Sequence, residues 1–277
     1  MHVSLDSALG RQRRLNSVGE SVLQIAPNAS AAYSLRSLTG GDPRVVRVRR
    51  DTGGGAGDND EQDFTASGIS SGALVAFVGS GNDGFVETWY DQSGNSEDAV
   101  QETAGSQPKI VNAGDLVVLS GVPALSFDGS FFAATGFAFS PSGDFLAVTV
   151  SKISTGNLID TRDGGSDGFF IQQGGSDFRC RYNGDGSIDV SGNDQHIVAT
   201  AELNGTTLTA YKNSSSAGTD TVTAGLSTTT ALSIGKVAFS SANAVSGSVQ
   251  EIILYDTDKS ANRATLETDI ISHYGIS

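Results

Sequence analysis

Among 277 residues the sequence holds a single cysteine, Cys180, five prolines, one methionine and one tryptophan. With one thiol no disulfide can form within the chain, so the fold does not depend on an oxidising compartment. Cys180 stands between Phe178 and Tyr182 in an alternating stretch, which points to a small core residue rather than a nucleophile. Basic residues are scarce: 17 Lys and Arg face 31 Asp and Glu, for a net charge of −14 and a pI near 4.4. That balance argues against nucleic acid as a main partner. No apolar run approaches the roughly 20 residues of a membrane span. The opening MHVSLDSALGRQRR has no continuous apolar stretch of leader length. The expectation is a chain made in a cytoplasm, not exported by that route and without a membrane partner.

Glycine is abundant instead, at 35 residues, and Ser, Thr and Asn fill the gaps between short apolar runs. This is the composition of many strands joined by turns, and 38% hydrophobic residues suffice for a core. RVVRVRR (44–50) and FVETWY (85–90) are strand-like, and FLAVTVS (145–151) is a continuous buried-type strand. DFRCRY alternates strictly, with Phe178, Cys180 and Tyr182 on one face and Arg179 and Arg181 on the other. TAELNGTTLTAYKN predicts a hairpin about Asn204-Gly205, the pair favoured in a type I′ turn. AAYSLRSL (31–38) and SGALVAFVGSG (71–81) read as short helices. SANRATLETDIISHYGI reads as a closing helix with Ser260 as its cap, Leu266, Ile270 and Tyr274 on one face and Gly275 at its end. The predicted fold is all-β: an antiparallel two-sheet jelly-roll sandwich with an N-terminal arm and a C-terminal helix.

The charge is uneven. Residues 1–50 carry eight arginines against Asp6, Glu20 and Asp42, so a basic head precedes an acidic body. Residues 1–30 lack strand alternation and divide from a domain at 31–277. They read as an arm lying on another surface, or as a segment packed on its own domain. Arg44 to Arg50 sit in a strand and are expected to pair within the domain. Arg11, Arg13 and Arg14 are candidates for docking to an acidic neighbour, including a second copy of the chain.

AAYSLRSL, RVVRVRRD, EQDFTA, LVAFVGSGNDGFVETWYDQSGN, QPKIV and PALSFDG follow one another in that order. The series resembles the N-terminal part of the arabinofuranosidase B type of glycoside hydrolase, and more closely a group of bacteriophage virion proteins. The part from DFLAVTVS onward is similar to concanavalin-like lectin and glucanase sandwiches. The resemblance implies the fold first, and a virion as the location. It implies hydrolysis only where two carboxyls stand about 5 Å apart, one as nucleophile and one as acid/base. The strand matching the first is NLIDTRDGG (157–165), and no glutamate occurs between Glu102 and Glu202. The position matching the second is Val237, and Lys236 to Ala244 hold no acid. Asp160, Asp163 and Asp167 are the substitutes at hand, in a Gly-rich turn where Asp usually serves the turn.

The resulting expectation is a non-enzymatic structural protein of a bacteriophage particle, decorating the capsid, forming a head fibre or associated with the tail. Its partners would be other virion proteins and copies of itself. The alternatives are a carbohydrate-binding adhesin contacting a host-surface glycan through Tyr182 and Tyr211, and an arabinofuranosidase-like hydrolase. No cofactor is expected; DGGSDG (163–168), NGDG (183–186) and GDNDEQD (57–63) offer calcium-type oxygens, but none follows the twelve-residue calcium loop. The family motif Trp89, Tyr90, Asp91, Gln92, Ser93, Gly94 reads as a strand end and turn: Trp89 inward, Tyr90 outward, and Asp91 free to bond the backbone two residues on or an arginine of the 44–50 strand.

Overall fold

The computed structural model describes residues 20–139, 144–162, 168–174, 177–182, 185–192, 194–223, 229–240 and 242–277. A four-residue helix, α1 (Val22–Ile25), precedes strands β1 (Ala31–Ser34), β2 (Arg44–Asp51) and β3 (Glu61–Thr65). Two short helices, α2 (Ala66–Ser70) and α3 (Ala73–Val78), lead to β4 (Asp83–Trp89). Short strands follow: β5 (Ala99–Val100), β6 (Lys109–Asn112), β7 (Asp115–Leu116), β8 (Val118–Leu119), β9 (Val122–Pro123) and β10 (Leu125–Asp128). After them come β11 (Phe132–Phe139), β12 (Phe145–Asp160), β13 (Phe169–Gly174), β14 (Asp177–Tyr182) and β15 (Gly186–Ser191). The chain continues through β16 (Ile197–Asn204), β17 (Thr207–Lys212), β18 (Ser215–Thr221), β19 (Thr229–Ile234) and β20 (Ser246–Tyr255), and α4 (Ser260–Tyr274) closes it.

The two-sheet jelly-roll sandwich is corrected here. Apart from the β8–β9 hairpin, the strands hydrogen-bond into one continuous antiparallel sheet, and part of it closes on itself. The closed circuit is an eight-stranded barrel running β12, β20, β10, β6, β4, β5, β11, β19 and back to β12. Two devices produce the closure. β12 is 16 residues long and shifts register against β20 between Val150 and Ser151 and again between Ile153 and Thr155. Such bulges bend a strand and increase its twist, so one strand serves two walls. The two-residue β5 joins β4 to β11, whose pairing is otherwise with β19 alone. Beyond the ring, β13–β15 and β16–β18 extend from β12 as two meanders, and β1 flanks β20.

One apolar core fills the ring and continues under the meanders. At its centre Trp89 lies 5.7 Å from the Tyr33 ring and 6.1 Å from the Phe132 ring. A second core lies on the outer side of β12 and β20, where Val148, Val150, Ile253 and Tyr255 meet Leu266, Ile270 and Tyr274 of α4. β12 is therefore apolar on both faces, which is why FLAVTVS reads as a continuous run. Residues 20–30, within the segment read as an arm, contribute to this second core through Val22, Ala26 and Ala29. Of the described helices, none is long and apolar enough to cross a membrane.

Three local readings change. Ala31–Ser34, read as part of a helix, is a strand whose four residues are all buried against β20. The β16–β17 hairpin pairs Asn204 with Thr207, and of its central residues only Gly205 has positive φ, as a type II′ turn requires. Ser260 is the first residue of α4, with Lys259 at the cap position and no side-chain capping bond, while Gly275 ends the helix in the left-handed region as expected.

Cys180 is fully buried, and burial, helped by the charge of Asp189, pushes its thiol up to about 12. The thiolate is the reactive form, so the native protein should not react with a disulfide-exchange reagent such as DTNB, and denatured protein should titrate one thiol per chain. Rapid labelling of the native protein would show that β14 opens readily.

Candidate functional site

The resemblance places the first catalytic carboxylate at the end of β12, and that end is the place to look for chemistry. Asp160 is the last residue of β12 and has no exposed surface. It sits opposite Phe170 of β13 and Ser233 of β19. Its Oδ1 accepts from the Arg162 backbone N–H at 2.9 Å and from Arg162 Nε at 3.0 Å. Its Oδ2 accepts from Asn157 Nδ2 at 2.8 Å and from Arg162 Nη2. The guanidinium in turn lies 4.0 Å from the Phe170 ring centroid and 5.5 Å from that of Phe239. Phe239 is 49% exposed, so an aromatic ring and an arginine cover the acid from outside. Both carboxylate oxygens are thus engaged, and Asp160 has no exposed surface. The second position, Val237, is buried, and beside it Lys236 Nζ stands 3.6 Å from the Phe131 ring centroid. Asp163 and Asp167 lie outside the described residues. Next to Asp160, Asn157 Oδ1 and Ser233 Oγ are buried without a hydrogen-bond partner.

The segment Trp89–Gly94 forms a latch. Trp89 points into the barrel and Tyr90 outward, its hydroxyl donating to Asp63 Oδ1 at 2.8 Å. Burial, then the bond to Asp63, pushes the Tyr90 phenol up to about 12. Asp91 accepts from the backbone N–H of Ser93 at 2.9 Å, the bond two residues on, and from that of Ala32 at 2.8 Å. Ser93 Oγ donates to its other oxygen at 2.6 Å. Buried Gln92 accepts from the Leu38 N–H at 2.8 Å and donates to the carbonyls of Ser34 at 3.1 Å and Arg36 at 3.0 Å. Asn95 extends the latch by donating to the carbonyls of Ala29 and Ser30. Gly94 supplies a left-handed φ of 95°. The motif therefore ties the end of β4 to β1 and to the loop that follows it.

The expected sugar-contacting tyrosines are placed differently. Tyr182 has no exposed surface and lies parallel to Phe145 with centroids 5.8 Å apart, so its role as a glycan contact is corrected to one in the core. Tyr211 is half-buried; its hydroxyl donates to Glu202 Oε2 at 2.9 Å, and the Arg263 guanidinium covers its ring at 3.7 Å. Arg11, Arg13 and Arg14 lie outside the described residues. Arg44, Arg47, Arg49 and Arg50 pair within the domain, with Asp63, Glu61, Asp51 and Asp60 respectively. In the 57–63 loop Asp58 accepts from Thr52 N–H at 2.7 Å, and Asp60, Glu61 and Asp63 are held by those arginines. Among the described residues no three His, Cys, Asp or Glu side chains converge as a metal site.

No protein-family model matches the chain, and no curated protein matches it. Solved structures do. A GH54 α-L-arabinofuranosidase soaked with a cyclic sulfate inhibitor superposes with a TM-score of 0.62 at 12% identity, over 88% of this chain and 62% of that one. An arabinofuranosidase complexed with arabinofuranosyl-α-1,2-xylobiose gives 0.63 at 14% identity over the same shares. The binding domain of Paraclostridial Mosquitocidal Protein 1 gives 0.50 at 13% identity, over 67% of this chain and 50% of that one. At these identities the likeness is one of fold. The chain spans about three-fifths of the length of the arabinofuranosidases it matches.

Proposed function

We propose that this chain is a non-hydrolytic structural component of a bacteriophage particle, built on the arabinofuranosidase fold. The observation that carries the first half is Asp160, enclosed by Arg162, Asn157 and Phe170 where a nucleophile would need to be open. The second half rests on the resemblance of the motif series from AAYSLRSL to PALSFDG to bacteriophage virion proteins. The barrel serves as a rigid body. Arg11, Arg13 and Arg14 of the N-terminal segment supply contacts to acidic surfaces of other virion proteins or of a second copy.

Two measurements test the two halves separately. The purified chain should not turn over 4-nitrophenyl α-L-arabinofuranoside; turnover that disappears in Asp160→Asn would overturn the non-hydrolytic reading. Particles assembled with a chain lacking residues 1–19 should lose the protein, while the truncated chain keeps its melting transition. Normal incorporation would overturn docking through that segment. A second reading, carbohydrate recognition on the particle, is favoured by one observation at the barrel mouth: the exposed Phe239 ring beside Arg162.

A further inference from the structure

Where α4 closes over β16 and β17, a polar group is enclosed beside the apolar second core. Glu202 of β16 is 7% exposed, and Glu267 of α4 has no exposed surface. Among the described residues one cation serves both. Arg263, one turn earlier on α4, donates from Nη1 to Glu267 Oε2 and brings Nε within 3.8 Å of Glu202 Oε2, while its guanidinium covers the Tyr211 ring. Two hydroxyls bond the same two oxygens: Tyr211 donates to Glu202 Oε2 at 2.9 Å and Ser214 to Glu267 Oε2 at 3.0 Å. The other oxygen of each carboxylate, Oε1, is buried and has no hydrogen-bond partner. Thr200 lies between the two acids. It is fully buried, and its Oγ1 also has no partner. Ala199, Ala201 and Leu203 face the inner core and Val198 faces α4, so alternation turns Thr200 and Glu202 toward α4. Thr200 stands opposite Tyr211, the residue that bonds Glu202. On its other side the Asn213 N–H donates to the Val198 carbonyl, and the next residue, Ser214, holds Glu267.

We infer that this interlayer binds one monovalent metal cation, sodium or potassium. Three features select that chemistry. The free acceptors are all oxygens, two from carboxylates and one from a hydroxyl, which is the donor set of a hard cation rather than of zinc or another soft metal. The charge is short by one: two carboxylates against one guanidinium leave a formal −1 among buried groups, and a buried charge without compensation is costly. A single positive charge cancels it, whereas a divalent ion would reverse it and an anion would add to it. Finally, a buried acceptor left unmet costs free energy of its own, and Thr200 presents such an acceptor in the gap between the two acids, where a shared ion is met by all three.

The inference is independent of the particle role, since it concerns how α4 is held against β16 and β17. The test is the melting transition of the full chain in sodium, potassium and choline chloride at equal ionic strength and pH. Sodium or potassium should raise the midpoint above that in choline by about 3 °C, with saturation, and the two metal arms show which ion is preferred. The difference should vanish in Glu267→Gln, in which Arg263 and Glu202 already balance. Thr200→Val keeps the shape and removes one ligand, so its half-saturating concentration should rise roughly tenfold. Asp115→Asn, at an exposed acid on β7, should keep the full effect. Each variant is compared with itself across the salts, so a change in its own stability leaves the reading intact. Equal midpoints in the three salts overturn the inference and assign the free oxygens to water or a shared proton. A difference undiminished in Glu267→Gln overturns it as well. So does a midpoint raised by magnesium or calcium and not by sodium or potassium.

Discussion

Replacing Arg36 by methionine is expected to remove about 3–5 kcal/mol of folding stability, the cost of leaving one member of a buried ion pair without its partner. Glu251, in the middle of β20, is the acid concerned; its side chain is 1% exposed. Arg36 Nε donates to its Oε2 at 2.8 Å and Nη2 to its Oε1 at 3.2 Å, while Nη1 reaches Asp269 of α4 at 3.0 Å. The hydroxyls of Ser34 and Tyr274 each donate to Oε2 at 2.9 Å. Burial, reinforced by the charge of Glu251, holds the Tyr274 phenol well above its usual range, so it remains a donor. These donors do not neutralise the carboxylate; among the described residues its ion-pair partner is Arg36. A urea titration measures the loss. The double variant Arg36→Met with Glu251→Gln should recover much of it, because the uncompensated charge is gone. If single and double variants are equally unstable, the cost lies in lost packing and not in charge.

Gln92→Leu should cost about 4 kcal/mol, although leucine nearly matches glutamine in size. Three backbone groups lose their partner at once: the Leu38 N–H and the carbonyls of Ser34 and Arg36. A buried polar group left unmet costs about 1–3 kcal/mol. Ser93→Ala removes two hydrogen bonds, one donated to Asp91 and one accepted from the Asn95 N–H at 3.2 Å, but at a half-exposed site where water replaces them, and should cost about 1 kcal/mol or less. The contrast between the two is the diagnostic. Comparable losses from both would mean that the latch is a surface turn with no hold on β1.

Much of the local architecture is legible in the residues. Strict alternation in DFRCRY places Phe178, Cys180 and Tyr182 inward, and the same alternation argues against Tyr182 as a ligand contact. The glycines after α3 and α4 end those helices as read. The inward Trp89 and the Asp91 turn follow from the motif itself. What is not legible depends on partners distant in sequence. Ala31–Ser34 has alanines that favour a helix, yet pairing with Glu251–Leu254 makes it a strand. Barrel closure rests on a two-residue strand and on register shifts in β12, and neither carries a pattern long enough to see. Tyr211 is covered by Arg263, which arrives from α4.

β20 also sets an order of events in time. It hydrogen-bonds to β1, β10 and β12, and the Tyr255 hydroxyl donates to the Ala26 carbonyl from 229 residues away. Contacts of such separation carry their loop-closure entropy before they return any stability. On the ribosome, β1, β10 and the long β12 emerge and wait with their edges open until Ser246–Tyr255 follows. Ring closure is therefore a late, all-at-once step, and the interval before it is when the nascent chain is most exposed to pairing with a neighbour.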